Sequence, residues 1–358
     1  MRAPLGVAVI GLGVGARHLA AYARAGCRVR AVCDHDRVRA QEAARPHGAR
    51  AVTDAMEAIA LPGVEAVSIA SYDADHFAQV RAALMLGRHV FVEKPLCTRP
   101  AEVEALAAVL AAAPVPPVLA SNLVLRAAPF FAHLRAEVAA GALGVPYAVD
   151  GEYLYGRLPK LTDGWRGRHA DYSPFLGGAV HLVDLMMWIT GQRPVAVVAA
   201  GGDLCARGSG FTGDDFTAAT FTFASGMVGR VTANFGSVTR HHHHLRLYGT
   251  EGTAISDDVG PRRHRRRDPG DPPEHAPLAA LPADKGALVA SFVDACLGRP
   301  SPLPGAAHEL AVVAACCAAD RSRREGRWVE IPYPDAPAAL KSPAALPIAA
   351  AHPGPARP

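Results

Sequence analysis

The sequence predicts two α/β units in series: a doubly wound parallel sheet, then an α+β domain with a large, open, mostly antiparallel sheet. Three observations predict this. Strand-like apolar runs alternate with helix-like segments between residues 5 and 122. A glycine-rich turn, GLGVGA at 11–16, closes the first run and opens the first helix. From residue 194 the pattern becomes period-two alternation broken by Gly-rich turns.

LGVAVIG at 5–11 breaks into glycine, ARHLAAYARA follows with helical spacing, and CRVRAVCD at 27–34 is a second strand ending in an acid. VEAVSIA at 64–70 reads as a strand and DADHFAQVRAALMLG as a helix closed by Gly87. HVFVEKP at 89–95 is a strand, RPAEVEALAAVLAAA at 99–113 a helix, and PPVLASN at 116–122 a last strand. Parallel sheets bury both faces and bind ligands beyond the C-terminal ends of their strands. Ser71, Tyr72, Glu93, Lys94, Pro95 and Asn122 fall at those ends.

RAAPFFAHLRAEVAAGALG at 126–144 is a helix, PYAVDGEYLYG at 146–156 a strand, and FLGGAVHLVDLMMWITG at 175–191 a buried helix. PVAVVAAGG, DDFTAATFTFASG, MVGRVTANFGS and HHHHLRLYGTEGTAISD then read as successive antiparallel strands. Helices at 289–298 and 304–323 follow, one of them expected to pack back on the first domain. The expected division is residues 1–122, 123–332 and a Pro/Ala-rich tail at 333–358. An open sheet needs a cover, so a homodimer or homotetramer through that face is expected.

Composition narrows the function classes. Of 358 residues, 50% are hydrophobic and 20% charged, which fits globular domains. The net charge of +4 is modest and its arginines are interspersed with acids, so no nucleic-acid partner is expected. RRHRRRD at 262–268, between two prolines, reads as a solvated loop. Cys27, Cys33, Cys97, Cys205, Cys296, Cys316 and Cys317 form no CxxC pair, which argues against a disulfide framework or thiolate zinc site. With neither a signal-peptide shape nor a long uncharged apolar run, the expectation is a cytoplasmic protein without a membrane partner.

The opening strand–turn–helix–strand is a dinucleotide site in outline. Gly11 makes the turn and Gly13 admits a pyrophosphate at the helix N-terminus. The third small residue is Ala16 in the GxGxxA register, with Val14 and an additional Gly15 in the turn. Asp34 would accept from the ribose hydroxyls and repel a 2′-phosphate, which favours NAD. Arg37 and Arg39 are close enough in sequence to leave NADP open. Lys94 closes a buried strand and would steady a substrate alkoxide, with Glu93 orienting it or its loop.

His181 and Asp184 sit three apart on an otherwise apolar helix. Alone, such a histidine reads as a paired core residue. With Lys94 and a nucleotide turn upstream it reads as a base for a hydroxyl proton, its ordinary pKa being about 6.5. Upstream, Tyr153, Tyr155, Arg157, Trp165, Arg166, Arg168, His169 and Asp171 offer stacking groups and donors for a sugar, with Tyr155 and Arg166 preferred. In the run His241–His244 only alternate members share a face, and no carboxylate is adjacent in sequence, so no metal is expected.

GLGVGARH, the EKP at 93–95 and GGAVHLVD at 177–184 together resemble the Gfo/Idh/MocA oxidoreductases, over a span from Val7 to Pro332. The resemblance implies hydride transfer between a nicotinamide cofactor and a secondary hydroxyl of a sugar, cyclitol or sugar derivative. It implies catalytic roles for Lys94 and His181. Cofactor contacts are then expected from Gly11, Gly13, Val14, Gly15, Asp34, Ser71, His76, Glu93 and Lys94, and substrate contacts from Asn122, Tyr155, Arg166 and Asp184. Three departures stand out. Gly177 replaces the aspartate that inositol-dehydrogenase-like members carry four residues before the histidine, Ser71-Tyr72 replaces a Thr-Pro, and His18 arrives one residue early. The missing aspartate keeps two alternatives open: glycoside processing through transient oxidation and elimination, and a non-catalytic nucleotide sensor.

Overall fold

Six short apolar runs build the first sheet: β1 (Gly6–Ile10), β2 (Arg28–Cys33), β3 (Arg50–Val52), β4 (Ala66–Ile69), β5 (His89–Val92) and β6 (Leu119–Ser121). In this computed structural model, which describes residues 3–168, 172–268 and 270–334, they pair in parallel in the order β3-β2-β1-β4-β5-β6. The order reverses between β1 and β4, where an open α/β sheet leaves its ligand crevice. Helices α1 (Gly15–Arg24), α2 (Arg37–Ala44), α3 (Ala55–Ala60), α4 (Asp73–Met85) and α5 (Pro100–Ala112) connect the strands. This is the Rossmann arrangement.

The segment 37–60 was silent in the periodicity because β3 is a three-residue edge strand and α2 and α3 are short. Their starts are fixed by side chains. Asp36 accepts from Val38 N and Arg39 N ahead of α2, and Asp54 accepts from Met56 N ahead of α3.

The second unit comprises α6 (Pro129–Ala139), β7 (Pro146–Leu154), α7 (Pro159–Thr162), α8 (Val180–Thr190), β8 (Pro194–Gly202), β9 (Phe216–Phe223), β10 (Val228–Asn234), β11 (His242–Gly249), β12 (Thr253–Ser256), β13 (Arg262–His264), β14 (Glu274–His275), α9 (Val289–Cys296), α10 (Ala306–Glu325) and β15 (Val329–Glu330). Its nine strands run β14-β13-β12-β11-β7-β10-β9-β8-β15. Every pairing is antiparallel except β7 with β10. That exception follows from connectivity: the chain leaves β7 through α8 and re-enters the sheet at β8, three places away, with β10 and β9 filling the gap.

Alternation decides the two faces of this sheet. Val149, Val231, Phe221 and Leu245 are buried on the inner face, where α8 lies against Gly151; a Cβ there would stand 3.0 Å from that of Leu182. The outward face is more polar, with Arg230 ion-paired to Asp150 and Thr220 and Thr222 alongside. Helix α9 packs on α1, its Phe292 ring 6.4 Å from Tyr22 and 5.3 Å from Phe91.

The basic run at 262–268 is not a solvated loop throughout. Residues 262–264 are the strand β13, and Arg262 pairs with Asp257, Arg263 with Glu137, and Arg265 with Glu137 and Glu274. Glu137 of α6, with Asp257 and Glu274 from the flanking segments, thus pairs with three of its five arginines. Among the described residues no helix is long and apolar enough to cross a membrane.

Candidate active site

The nucleotide turn is built by close approach. Gly11 has φ +82°, and a Cβ there would collide with the carbonyl of Ala70 at the end of β4. Gly13 has no neighbour within 4 Å of its Cβ position, so the backbone is open to a pyrophosphate at the N-terminus of α1. A Cβ on Gly15 would stand 3.2 Å from that of Ala70, whereas Ala16 is exposed. The close-packing third position is therefore Gly15, not Ala16. The turn is one residue shorter than GxGxxA, which also accounts for the early His18. Val14 stands exposed in the turn.

Asp34 is nearly enclosed and braces this turn. Its Oδ2 accepts from Leu12 N at 2.8 Å and its Oδ1 from Asp36 N at 3.0 Å. Arg39 lies 3.7 Å from Oδ1 and donates to the Leu12 carbonyl at 3.0 Å.

A second network fixes the end of β5. Buried His18 meets Ser68 Oγ at 3.1 Å through Nδ1, and its Nε2 lies 3.3 Å from Glu93 Oε1. Asn122 donates to Glu93 Oε1 at 2.6 Å and to the Lys285 carbonyl at 2.8 Å. Burial pushes the Glu93 carboxyl up, but hydrogen bonds and charge from His18, with Asn122 and Lys94, leave it below its ordinary value. Glu93 thus orients the loop. Asn122 is 1% exposed; its amide nitrogen is engaged in bracing this loop, and its Oδ1 is buried without a hydrogen-bond partner. His76 is likewise structural: its Nδ1 faces the Pro95 carbonyl at 2.7 Å and its Nε2 the Ser71 carbonyl at 3.2 Å, with no exposed surface for a cofactor. Ser71 donates to Gln79 at 2.8 Å.

Lys94, half-buried, donates through Nζ to the Gly177 carbonyl at 2.6 Å. Burial, the largest influence, holds its ammonium pKa below the ordinary value against the fields of Asp73 and Glu93. Gly177 lies in a π-turn, Phe175–Ala179, immediately ahead of α8. Such widened turns recur at functional sites. One turn later His181 is 6% exposed and its Nδ1 has no hydrogen-bond partner. Burial first, then the fields of His243 and Lys94, hold its pKa well below 6.5, so the ring is neutral and proton-accepting.

Asp184 does not face this site. It is wholly buried, accepting from Arg126 at 2.6 and 2.9 Å and lying 2.8 Å from His308 Nε2, while Arg126 also holds Glu309 at 2.6 Å. Three residues along the helix rotate it from His181 into the packing between α8 and α10. The substrate role expected for Asp184 is replaced by an internal ion cluster.

Tyr172 was missed entirely by the sequence reading. Its hydroxyl occupies the space a Cβ on Gly177 would need, and it accepts from Arg166 Nε at 3.1 Å. Arg166 lies 4.5 Å over the Trp165 ring, and Trp165 contacts Tyr72 at 5.2 Å. Tyr155 is 8% exposed, stacked on Tyr153 at 5.6 Å and against Phe235 at 4.7 Å; it forms the inner wall more than a free donor. His169 and Asp171 lie outside the described residues. A cleft of 580 Å³ is lined by Asp73, Pro95, Trp165, Tyr172, Gly177 and Asp320, among others. Its volume suits a small polar ligand.

Comparison with known proteins meets this geometry. Residues 5–118 match the oxidoreductase family with an NAD-binding Rossmann fold, and residues 131–255 match the GFO/IDH/MocA C-terminal domain. The chain belongs to the Gfo/Idh/MocA oxidoreductase family. Among curated Gfo/Idh/MocA relatives, 1,5-anhydro-D-fructose reductase of Ensifer adhaerens is 28% identical over 213 residues, covering 59% of this chain and 62% of the relative. Inositol 2-dehydrogenase 2 of Saccharopolyspora erythraea is 27% identical over 290 residues, covering 72% and 80%. In solved structures, levoglucosan dehydrogenase with NADH and levoglucosan superposes with a TM-score of 0.78 at 21% identity, over 92% of this chain and 100% of that one. UDP-N-acetylglucosamine 3-dehydrogenase of Acidithiobacillus ferrooxidans gives 0.72 at 25%, over 90% and 98%. The Gfo/Idh/MocA fold is thus shared across both domains.

Proposed function

We propose that this protein is an NAD(H)-dependent dehydrogenase or reductase acting on a secondary hydroxyl or ketone of a sugar, cyclitol or sugar derivative. The observation that supports it most is the Lys94–Gly177 hydrogen bond. It brings an ammonium to the head of the helix that bears His181, whose Nδ1 has no other partner.

The open backbone at Gly13, the left-handed Gly11 and the braced Asp34 fit a dinucleotide, and Val14 and Ser71 border that place. When bound, the nicotinamide accepts or returns the hydride of the reacting carbon. The chain's own residues handle the proton. Lys94 donates to the substrate oxygen and stabilises its developing negative charge. His181, neutral at physiological pH, takes the hydroxyl proton during oxidation and returns it during reduction. Arg166 and Trp165 offer a donor and a stacking face to the ring, and the phenol of Tyr172 takes the place of the absent aspartate as a polar neighbour of Gly177.

The names of several relatives favour cyclic polyhydroxy compounds, among them 1,5-anhydro-D-fructose, myo-inositol and levoglucosan. Asp34 favours NAD over NADP by repelling a 2′-phosphate. Self-association as a dimer or tetramer through the outward face of the second sheet completes the reading; static light scattering on the purified chain tests it.

The functional test is NADH formation from NAD⁺ with a panel of inositols, hexoses and anhydrosugars, run beside Lys94→Met. The reading expects turnover of at least one class, a loss of about 10²-fold or more in the variant, and unchanged NADH binding by fluorescence. Absent cofactor binding in the wild type would overturn it.

A further inference from the structure

Strand β11 opens on three histidines, His242–His244, with His241 just ahead of it, and alternation sends successive ones to opposite faces. His243 points inward, its ring 5.5 Å from that of His181. His242 and His244 share the outward face, with ring centroids 4.7 Å apart. The sequence shows no carboxylate beside them. The fold brings two. Glu152 arrives from the neighbouring β7, directly opposite His244, and Asp258 from the turn between β12 and β13.

The arrangement has the chemistry of a metal site. One potential ligand atom each from His242, His244 and Asp258 lie within 4.8 Å of one another. His244 is 7% exposed, and its Nδ1 lies 3.2 Å from Glu152 Oε2. A carboxylate only accepts, so Nδ1 donates to Glu152; in the neutral imidazole the Nε2 lone pair then faces Asp258 Oδ2, 3.5 Å away. Neither that Nε2 nor Nδ1 of His242 has a hydrogen-bond partner. A carboxylate holding the far nitrogen of a histidine is the usual support for a metal-binding imidazole.

We propose that His242, His244 and Asp258 bind a divalent transition metal of the zinc type, with Glu152 orienting His244, on the sheet face turned away from Lys94 and His181. Two imidazoles and a carboxylate suit zinc, with a fourth position left to water. Zinc–nitrogen bonds of about 2.0–2.1 Å require the ligands to draw together by roughly an ångström. Asp258, whose side chain is 56% exposed, has room to supply that movement. The bound ion would clasp the turn after β12 to β11. The inference is independent of the substrate reading above.

The test uses the full chain, purified without a polyhistidine tag and stripped with a chelator. Equilibrium dialysis against Zn²⁺ with elemental analysis should give one zinc per chain, and zinc should raise the thermal midpoint. His244→Ala and Asp258→Asn should each weaken binding by about tenfold or more, while Cys205→Ser leaves it unchanged. Asp258 is exposed, so its variant reads the site without disturbing the fold. Failure of the wild type to take up stoichiometric zinc, or equal affinity in Asp258→Asn, overturns the proposal and leaves His244 as an imidazolium shared by two carboxylates.

Discussion

The hydroxyl of Tyr172 fills the volume that a side chain on Gly177 would occupy. Arg166 fixes that hydroxyl from one side, and the Gly177 carbonyl receives Lys94 from another. The glycine is therefore a requirement of the tyrosine's position. An aspartate at 177 would require the Tyr172 ring to leave its present position, so the departure from the inositol-dehydrogenase pattern is tied to where that ring sits.

Gly177→Asp should consequently destabilise the fold by about 1–3 kcal/mol, the usual cost of overpacking. Adding Tyr172→Ala should recover most of that loss, because it vacates the contested space. Thermal or denaturant unfolding of both singles and the double measures the coupling. Strictly additive losses would contradict the steric account.

The pH profile should reflect a base with a depressed pKa. The His181 imidazole is held well below 6.5 by burial, so its proton-accepting form persists as pH falls through 6.5. The acid limb of kcat/KM for oxidation should lie below that value and disappear in His181→Asn. Lys94 is also depressed, so its ammonium is lost below the ordinary 10.5 and the alkaline limb should fall there. A limb centred at or above 6.5 that survives in His181→Asn would assign the proton to another group.

Removing Arg126 should be severe. Arg126→Met strips the counter-charge from Asp184 and Glu309 in the interior, at a cost of about 3–5 kcal/mol near neutral pH. Burial alone would raise the Asp184 pKa; Arg126 and His308 bring it below 3.8. The wild-type contribution is thus present above 3.8 and lost as pH drops through the lowered native value. In the variant the stranded carboxyls take up protons at higher pH, so its deficit should shrink between pH 7 and 5. Urea unfolding at both values decides this.

Cofactor choice should track Asp34. Fluorescence titration is expected to show tighter binding of NADH than NADPH, and Asp34→Ser should narrow the ratio. Because Asp34 also holds Leu12 N, the variant should weaken NADH binding as well. Preference for NADPH in the wild type would mean that Arg39, 3.7 Å from Asp34, outweighs the carboxylate.

Much of this was legible in the chain itself. The parallel sheet follows from apolar strands alternating with helices, and the turn at Gly11 from a left-handed, tightly packed backbone that favours glycine. Lys94 and His181 stood out because a charge closing an apolar strand and an imidazole within an apolar helix are both locally anomalous. Asp184 had the same anomaly, yet its partners Arg126 and His308, and the Glu309 that shares Arg126, are remote in sequence, so no periodicity could separate an ion cluster from a substrate contact.

What the sequence determined by itself is therefore what depends on neighbours along the chain: strand and helix periods, the glycine turn, and which residues end strands at the crevice. Only the tertiary structure decided what depends on neighbours across it. Tyr172 met Gly177, Glu152 and Asp258 met His244, and Gly15 replaced Ala16 as the packing residue against Ala70. Local conformation is governed by backbone sterics and side-chain pattern over a few residues. Ion pairing, excluded volume and proton affinity are set by whatever atoms the fold brings within a few ångströms.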